Sequence, residues 1–484
     1  MDAIAKIASL ILIAALGGVI VLSLGIRQCV TANRSATGQQ QPAAPSSVGA
    51  IRSLGYAAWH EIDDKDRTKI GVTLHDAGAA YEGVNLFHSE NTTGGYLLDM
   101  QGNVLHVFHD LADDTAKWKL IEPYRGERFL VLIEDVGFGR SGQLSMIDWH
   151  SNIEWTIVGH FHHDVAVAGN GDIYTIENHR TSFPAFSSSL AILDNRLFIL
   201  TKDGKTRKTL SFAEMVSEHP ALLDAARGQK AIHIGVYGPD AWDVFHTNTL
   251  EIIERRASPR SAPVFQEGRV LFCMRHMNII GVIDLQAERI IWYWGLDHLE
   301  QPHHPTLLGN GNVLIFDNGV NRKFSRIIEL NPVTEAIEWE YRADPPESFY
   351  SKTRGSAQRL PNGNTLIAES DEGRAFEITR DGSVVWEFYN PELNKKRDKR
   401  ATLYRFRRFV DADDFVTGFP TGAKGALDVI SRHRKLAIAF LREGRLREAA
   451  GEFRTLLQWL PDDPRVHDRL GLIHLKQGQL ELAI

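Results

Sequence analysis

Two stretches of the sequence place doubled histidines in front of an apolar strand. Residues 301–319 read QPHHPTLLGNGNVLIFDNG, and residues 162–178 read HHDVAVAGNGDIYTIEN. His303 precedes the glycine of its Asn-Gly turn by eight residues, and His163 precedes the corresponding glycine by the same number. Imidazoles at matching positions in two copies of one structural unit are candidates for nucleophilic and proton-transfer chemistry.

A third segment supplies further polar side chains at related positions. In residues 243–256, DVFHTNTLEIIERR, His246 and Asn248 begin a strand, and Arg275 follows Gly268 by seven residues. That is the offset at which an asparagine follows the turn glycine in the two histidine-bearing copies. Copies arranged around one axis would bring five side chains to one funnel, although up to 140 residues separate them. The five are His163, His246, Asn248, Arg275 and His303.

Three imidazoles, an amide and a guanidinium without a carboxylate predict an anion-binding site. Arginine presents a planar fork of donors to an oxyanion. One histidine could act as a nucleophile while others hydrogen-bond the leaving or attacking oxygen. The set therefore favours transfer of a tetrahedral anionic group such as sulfuryl or phosphoryl. The cation of Arg275 argues against the alternative of a zinc or copper site, so we predict no metal ligands.

A repeat of short strands predicts the architecture that would bring these residues together. Trp292, Trp339 and Trp386 are spaced 47 residues apart, each near the end of a strand–turn–strand unit. Repeats of about 40–50 residues with four strands are typical of β-propellers. We predict an all-β fold with a six-bladed β-propeller over residues 67–412, an irregular third blade, and a partly helical insertion at 211–242.

Several other residues are expected to be structural. The recurring tryptophans should fill the layer between blades. His106 stands at one of the repeat tryptophan positions and should pack in the same way. We expect His150, His179 and His433 to be structural as well.

The N-terminal segment predicts a membrane anchor. Residues 7–26 contain no charged side chain and would span about 30 Å as a helix. We predict a transmembrane anchor at 1–29, followed by a linker at 30–66. The flanking basic residues do not decide the orientation.

The C-terminal tail predicts helices rather than strands. Gly444 and Gly478 are 34 residues apart, the period of tetratricopeptide repeats. We predict a linker at 413–430 and a truncated tetratricopeptide-like segment at 431–484. About one and a half repeats cannot bury an apolar face alone, so we expect a protein partner or further repeats.

Composition excludes some classes of protein. The chain has 54 basic and 61 acidic residues and a net charge of −7, which disfavours nucleic-acid binding. The two cysteines of the 484-residue chain do not form a disulfide framework. Nothing in the sequence demands a cofactor. A quinoprotein dehydrogenase is disfavoured because no adjacent cysteine pair is present.

Over roughly residues 68–410 the sequence resembles the bacterial arylsulfotransferase family. The resemblance is carried by HTN at 246–248, by LFCMRHMNIIGVID with IIWYWG, and by HHPTLLGNGNVLIFDNG. It implies a six-bladed propeller outside the cytoplasm that moves a sulfuryl group from a phenolic sulfate ester to a phenol. It implies that His303 forms a sulfohistidine and that Arg275 and His163 bind the sulfuryl oxygens.

We therefore predict an aryl-sulfate sulfotransferase with a ping-pong mechanism, held to the membrane through residues 7–26. The candidate catalytic residues are His303, His246, Arg275 and His163. The candidate substrate-binding residues are Asn248 and the second member of each histidine pair, namely His162 and His304. Two alternatives stay open. One is a sulfate- or phosphate-ester hydrolase, and the other is a non-catalytic scaffold that binds a small anion or a polymer.

Overall fold

The computed structural model describes most of the region predicted as a propeller and parts of the tail. The described residues are 59–89, 94–109, 118–125, 128–133, 142–188, 191–228, 232–233, 241–254, 262–409, 433, 436–437, 440–441, 444–459 and 464–477. The predicted anchor at 1–29 and linker at 413–430 lie outside these ranges and stay predictions. Among the described residues, no helix has the length and apolarity needed to cross a membrane.

Six antiparallel sheets form the body of the protein and confirm the six-bladed propeller. The strands of blade 1, from the axis outward, are β29 (Leu403–Phe409), β3 (Val84–Ser89), β4 (Gly94–Leu98) and β5 (Val104–His109). Those of blade 2 are β6 (Trp118–Tyr124), β7 (Arg128–Ile133), β8 (Gln143–Asp148) and β9 (Ile153–Val158). Those of blade 3 are β10 (Phe161–Val167), β11 (Ile173–Ser182), β12 (Ala191–Leu200) and β13 (Thr206–Ser211).

The other three blades follow the same order. The strands of blade 4 are β16 (Thr247–Ile253), β17 (Arg269–Met274), β18 (Ile279–Asp284) and β19 (Arg289–Trp294). Those of blade 5 are β20 (His303–Leu307), β21 (Val313–Asp317), β22 (Arg326–Leu330) and β23 (Ile337–Tyr341). Those of blade 6 are β24 (Ser356–Arg359), β25 (Thr365–Glu369), β26 (Arg374–Ile378) and β27 (Val384–Tyr389).

Segments from both ends of the propeller close the ring. The C-terminal strand β29 pairs with β3 and completes blade 1 from the inside. The strand β2 (Gly71–His75) instead pairs with β27, as a fifth, outermost strand of blade 6. A short ribbon of β1 (Trp59–Glu61) and β28 (Lys399–Ala401) adds a further pair. Closure of this kind protects strand edges that would otherwise be left unpaired.

Three tryptophans at the repeat position lie on the outermost of the four repeat strands and bond the next blade, while Trp292 of the same series contacts the Phe265 ring. Three indole N–H groups donate to backbone carbonyls at 2.8–3.1 Å, namely Trp155 to Lys202, Trp339 to Arg380 and Trp386 to Met100. His106 makes the equivalent bond from Nε2 to the Trp149 carbonyl at 2.8 Å and stacks on that indole. The structural interpretation of His106 is therefore confirmed.

The irregular third blade carries the predicted insertion. Two helices, α1 (Phe212–Ser217) and α2 (Pro220–Gly228), follow β13. The chain then forms β14 (Ile232–His233) and β15 (Ala241–Asp243), and β15 runs parallel to the first two residues of β12. The first strand of blade 4, β16, follows shortly after the end of this insertion.

The tail contains two described helices, α3 (Leu446–Trp459) and α4 (Pro464–Lys476). Their apolar side chains belong to one hydrophobic cluster with side chains of blades 1 and 2. Tail members include Ala450, Phe453, Leu456 and Ile473, and blade members include Leu86, Phe108, Phe129 and Ile147. Part of the apolar face of the tail is therefore buried within the chain itself. The tetratricopeptide assignment and a protein partner stay predictions.

Ion pairs tie the last inner strand to its neighbours inside the channel. Arg405 of β29 bonds Asp164 of β10 at 2.9 Å, and Arg407 bonds Glu122 of β6. The Asp164 carboxylate also accepts the backbone N–H of Leu250 at 2.9 Å. These contacts join four blades around the axis and occupy the channel behind the strand starts.

We expect Asp164→Ala to lower the free energy of unfolding by about 3–5 kcal/mol, because Arg405 would be left buried without its partner. Thermal and urea unfolding of the full-length protein measure this loss. Glu154→Ala removes the exposed pair with Arg128 and serves as the control, with an expected loss of about 1 kcal/mol or less. Equal losses in the two variants would contradict the prediction.

Candidate active site

The six inner strands begin at one end of the propeller axis and place their first residues there. Five of them slip out of register with the neighbouring strand near this end. The slips lie between Leu403 and Phe406, Trp118 and Leu120, His162 and Val165, Thr247 and Thr249, and His303 and Thr306. Bulges redirect side chains and are frequent beside active sites. Here they lie at the first residues of five inner strands, among them His162, Thr247 and His303.

His303 has a defined tautomer because its Nδ1 faces the side chain of Asn318. Its Nδ1 donates to Oδ1 of Asn318 at 2.8 Å and lies 3.2 Å from the Gln301 carbonyl. Nδ2 of Asn318 donates to the carbonyls of Ser351 and Arg354, which identifies Oδ1 as the acceptor facing His303. The proton therefore resides on Nδ1, and Nε2 carries the lone pair. That is the arrangement required of a nucleophilic imidazole.

Burial and charge keep His303 neutral. The residue is only 4% exposed. Burial, followed by the neighbouring guanidinium of Arg275, lowers the pKa of His303 well below its ordinary value. The ring is therefore neutral at neutral pH.

His246 lies next to a carboxylate that the sequence-based set did not include. Its Nδ1 bonds Oδ2 of Asp243, and its backbone N–H donates to Oδ1 at 2.9 Å. Burial, and then Arg275, lower the pKa of His246 well below its ordinary value. Its φ of 49° lies in the left-handed region, which non-glycine residues adopt mainly where surrounding structure imposes it.

The histidines of blade 3 join the same cluster. The His163 ring lies 4.6 Å from that of His246, edge to face, and 4.8 Å from that of His162. Nδ1 of His162 is 2.6 Å from Nδ1 of His163. His163 also has a left-handed φ, of 62°. The His163 and His246 rings are therefore in contact, as the repeat predicted.

Strand pairing gives His162, not His163, as the counterpart of His303. His162 lies opposite Ile176 in blade 3, and His303 lies opposite the equivalent Phe316 in blade 5. His162 also hydrogen-bonds Asn178, as His303 bonds Asn318. The bulge in blade 3 contains one residue more than the bulge in blade 5, so counting from the turn glycine pairs the wrong histidines.

Arg275 follows β17 and is buried among these rings. It is 3% exposed, and its backbone N–H donates to the His246 carbonyl at 3.1 Å. Its charge contributes to the lowered pKa of both His246 and His303. The guanidinium is therefore within electrostatic reach of both histidines, as the repeat offset predicted.

Asn248 and His304 are engaged with the protein. Nδ2 of Asn248 donates to the Pro302 carbonyl at 2.9 Å, which secures the residue before His303. Nδ1 of His304 lies 3.2 Å from the Ala357 carbonyl, and its pKa is lowered by burial and by two arginines of the channel. Substrate binding by Asn248, His162 and His304 stays a prediction.

Two residues from blades 1 and 2 complete the surroundings of the cluster. The Tyr404 ring lies 6.3 Å from that of His163, and Nζ of Lys119 lies 4.9 Å from the Tyr404 ring centre. The Lys119 charge contributes to the lowered pKa of His162, His163 and His246. Sequence reasoning missed both residues, because their strands carry no histidine to mark the position.

Asp243, His246 and His276 form the one group among the described residues whose donor atoms are close enough to hold a metal ion. Two of these atoms already bond each other, since the Asp243 carboxylate bonds Nδ1 of His246, and Nδ1 of His276 instead donates to the Asp243 backbone carbonyl at 2.7 Å. The nearby Arg275 charge also disfavours a cation. The group is better explained as a hydrogen-bonded support for His246.

A charged cleft of about 870 Å³ lies between blades 5 and 6, and its lining includes none of the clustered histidines. Its lining includes Trp339, Tyr341, Arg374 and Glu387, and several of these charges pair with one another. The cluster of buried histidines, by contrast, contains neutral imidazoles beside one guanidinium, that of Arg275. That combination suits transfer of an anionic group.

A family model described as arylsulfotransferase (ASST) matches residues 125–391, more than half of the chain. A search of the curated proteins found no match. Three solved structures cover 66–72% of this chain.

The first solved structure is a protein of unknown function from Bacteroides caccae, with 11% identity, a TM-score of 0.45, and coverage of 68% of this chain and 100% of that chain. The second is a catalytically inactive virginiamycin B lyase from Staphylococcus aureus, with 11% identity, a TM-score of 0.39, and coverage of 72% and 99%. The third is apo AztD from Citrobacter koseri, with 10% identity, a TM-score of 0.32, and coverage of 66% and 71%.

Proposed function

The chain belongs to the arylsulfotransferase family, and we propose that it moves a sulfuryl group from a phenolic sulfate ester to a phenol through a sulfohistidine on His303. The observation that carries the proposal is the hydrogen bond between Nδ1 of His303 and Oδ1 of Asn318 at 2.8 Å. It leaves Nε2 with the lone pair that attacks sulfur. The buried Arg275 supplies the charge that stabilises the sulfuryl oxygens.

The reaction has two half-reactions. In the first, Nε2 of His303 attacks sulfur, and the S–O bond breaks with its electron pair on the phenolic oxygen. In the second, an acceptor phenol attacks the same sulfur, and the S–N bond breaks with its pair on Nε2. Splitting one transfer into two steps is the advantage of covalent catalysis.

Several features of the cluster favour this chemistry. A sulfate monoester bears one negative charge, which a single guanidinium can match with paired hydrogen bonds. His303, His246 and Arg275 are each less than a tenth exposed, so their interactions with a bound sulfuryl group are weakly screened. A neutral nucleophile also avoids the loss of its lone pair to a proton.

Intact mass spectrometry of the full-length protein after brief exposure to 4-nitrophenyl sulfate tests the proposal. We expect a mass increase of one sulfuryl group, mapped to His303, and a burst of nitrophenolate equal to the enzyme present. Adding phenol should discharge the adduct and yield phenyl sulfate.

Two outcomes would replace the proposal. An adduct that is discharged at the same rate by water alone, with no phenyl sulfate formed, would indicate an ester hydrolase. The absence of both adduct and nitrophenolate would favour the binding scaffold.

A further inference from the structure

His246 is bonded to one carboxylate through both its ring and its backbone. Asp243, 3% exposed, accepts the ring Nδ1–H on Oδ2 and the His246 backbone N–H on Oδ1 at 2.9 Å. Both carboxylate oxygens of Asp243 thus accept hydrogen bonds from His246, three residues later in the chain. The carboxylate selects the tautomer with the proton on Nδ1, so Nε2 is the nitrogen that can exchange a proton with substrate.

Asp243 is itself held from two sides. It ends β15, which pairs with β12 of the third blade. Its carbonyl accepts the Nδ1–H of His276 at 2.7 Å, and burial lowers the pKa of His276 to about 3. His276 therefore stays neutral and donates steadily to Asp243. The carboxylate has a defined position before any substrate arrives.

The two central histidines differ in what bonds Nδ1. His303 meets the neutral amide of Asn318, whereas His246 meets the carboxylate of Asp243. A carboxylate stabilises an imidazolium that forms during a reaction, and an amide does so far less. The partners therefore suit His303 to nucleophilic attack and His246 to carrying a proton.

We propose that Asp243 is a positioning residue that makes His246 the proton carrier between the two half-reactions. This inference rests on the proposed sulfuryl transfer. In the second half-reaction, Nε2 of His246 takes the acceptor's phenolic proton as the O–S bond forms and the S–N bond to His303 breaks. In the next first half-reaction, that proton passes to the phenolic oxygen as the S–O bond of the donor breaks. One proton thus circulates, and none is gained or lost per cycle.

The charges around His246 set its resting state. Burial lowers its pKa, as do Arg275 from blade 4, His162 from blade 3 and Lys119 from blade 2. The His163 and His276 rings each lie 4.6 Å from the His246 ring. Without substrate the ring is neutral and can accept a proton, which comes from water when the anionic ester binds in the first turnover and from the acceptor phenol in later turnovers. Asp243 is the carboxylate in contact with the ring once it is charged.

The test compares donors whose leaving groups differ in their need for a proton. 4-Nitrophenolate leaves without protonation, whereas phenolate from phenyl sulfate needs an acid. We expect Asp243→Asn to slow phenol release from phenyl sulfate by about 10²–10³-fold and nitrophenolate release by less than about tenfold. Presteady-state release of each phenol measures the first half-reaction directly.

Asp194→Asn is the matched control, because Asp194 is a buried carboxylate that bonds Arg196 and the backbone of Ala213 instead. It should affect both donors equally. His246→Gln removes the proton carrier while keeping Asp243, so it replaces Asp243→Asn if that variant does not fold. It should show the same contrast between donors.

The outcomes separate this inference from the proposed function. Normal adduct formation by the wild type, with equal losses for both donors in Asp243→Asn and His246→Gln, would overturn the proton-carrier role alone. Failure of the wild type to form the adduct on His303 would overturn both.

Discussion

Replacing His303 with alanine is expected to abolish the covalent adduct and to lower sulfuryl transfer by about 10⁴-fold or more. The reason is that the S–N bond of the proposed intermediate forms on Nε2 of His303, and the neighbouring histidines have other partners. His246 is bonded to Asp243 through Nδ1 and suited to carrying a proton. His162, the counterpart of His303 in blade 3, has its Nδ1 2.6 Å from Nδ1 of His163. Nitrophenolate release from 4-nitrophenyl sulfate, with intact mass in parallel, measures both effects.

His304→Ala decides which member of the doubled pair is the nucleophile. His304 lies near the channel arginines, so this variant should still form the adduct and lose less than about tenfold in rate. His219→Ala is the control for general damage. It removes a histidine of the insertion that bonds the Ile290 carbonyl of β19. An adduct retained by His303→Ala and lost in His304→Ala would show that the register was assigned to the wrong histidine.

Much of the architecture follows from periodicity. Tryptophans 47 residues apart indicated blades, and the indole bonds from Trp339 and Trp386 to the next blade explain why that spacing recurs. The same repeat predicted that His163, His246 and Arg275 would converge. A repeat constrains each copy to one geometry, so equivalent positions meet around the axis.

The details that sequence reasoning missed are those that depart from the repeat. The correspondence between His163 and His303 was wrong, because the bulge of blade 3 holds an extra residue that no periodic count reveals. Asp243 was missed because it lies on a strand of the insertion, outside the four-strand pattern. The pairing of residues 71–75 with β27 was missed as well, since ring closure joins residues distant in sequence.

The histidines of the cluster differ chemically because some of their partners come from segments that depart from the repeat. Four histidines in similar burial would be near equivalents if only the repeat determined their surroundings. An amide from the regular strand end and a carboxylate from the insertion give His303 and His246 different partners. Residues that depart from the repeat therefore allow His303 and His246 to take different chemical roles.

Arg275→Met is expected to lower sulfuryl transfer by about 10²–10³-fold, since it removes the cation that stabilises the sulfuryl oxygens in the transition state. It should also alter the pH dependence. Arg275 is one cause of the lowered pKa of His303, so its removal raises that pKa. Because only neutral His303 attacks, activity should then be lost at a higher pH than in the wild type as the pH falls. Rates of nitrophenolate release across acid pH, in single turnover, measure the shift.

Arg275→Lys separates charge from geometry in the same experiment. Lysine keeps the positive charge but cannot present two parallel N–H groups to an oxyanion. We expect its acid limb to stay near that of the wild type while its rate at neutral pH falls, by less than in Arg275→Met. If the methionine variant lost rate with no movement of the acid limb, the charge of Arg275 would not act on His303, and its role would be confined to holding the sulfuryl group. If the acid limb moved equally in both variants, the shift would arise from altered packing around the buried imidazoles rather than from the loss of a charge.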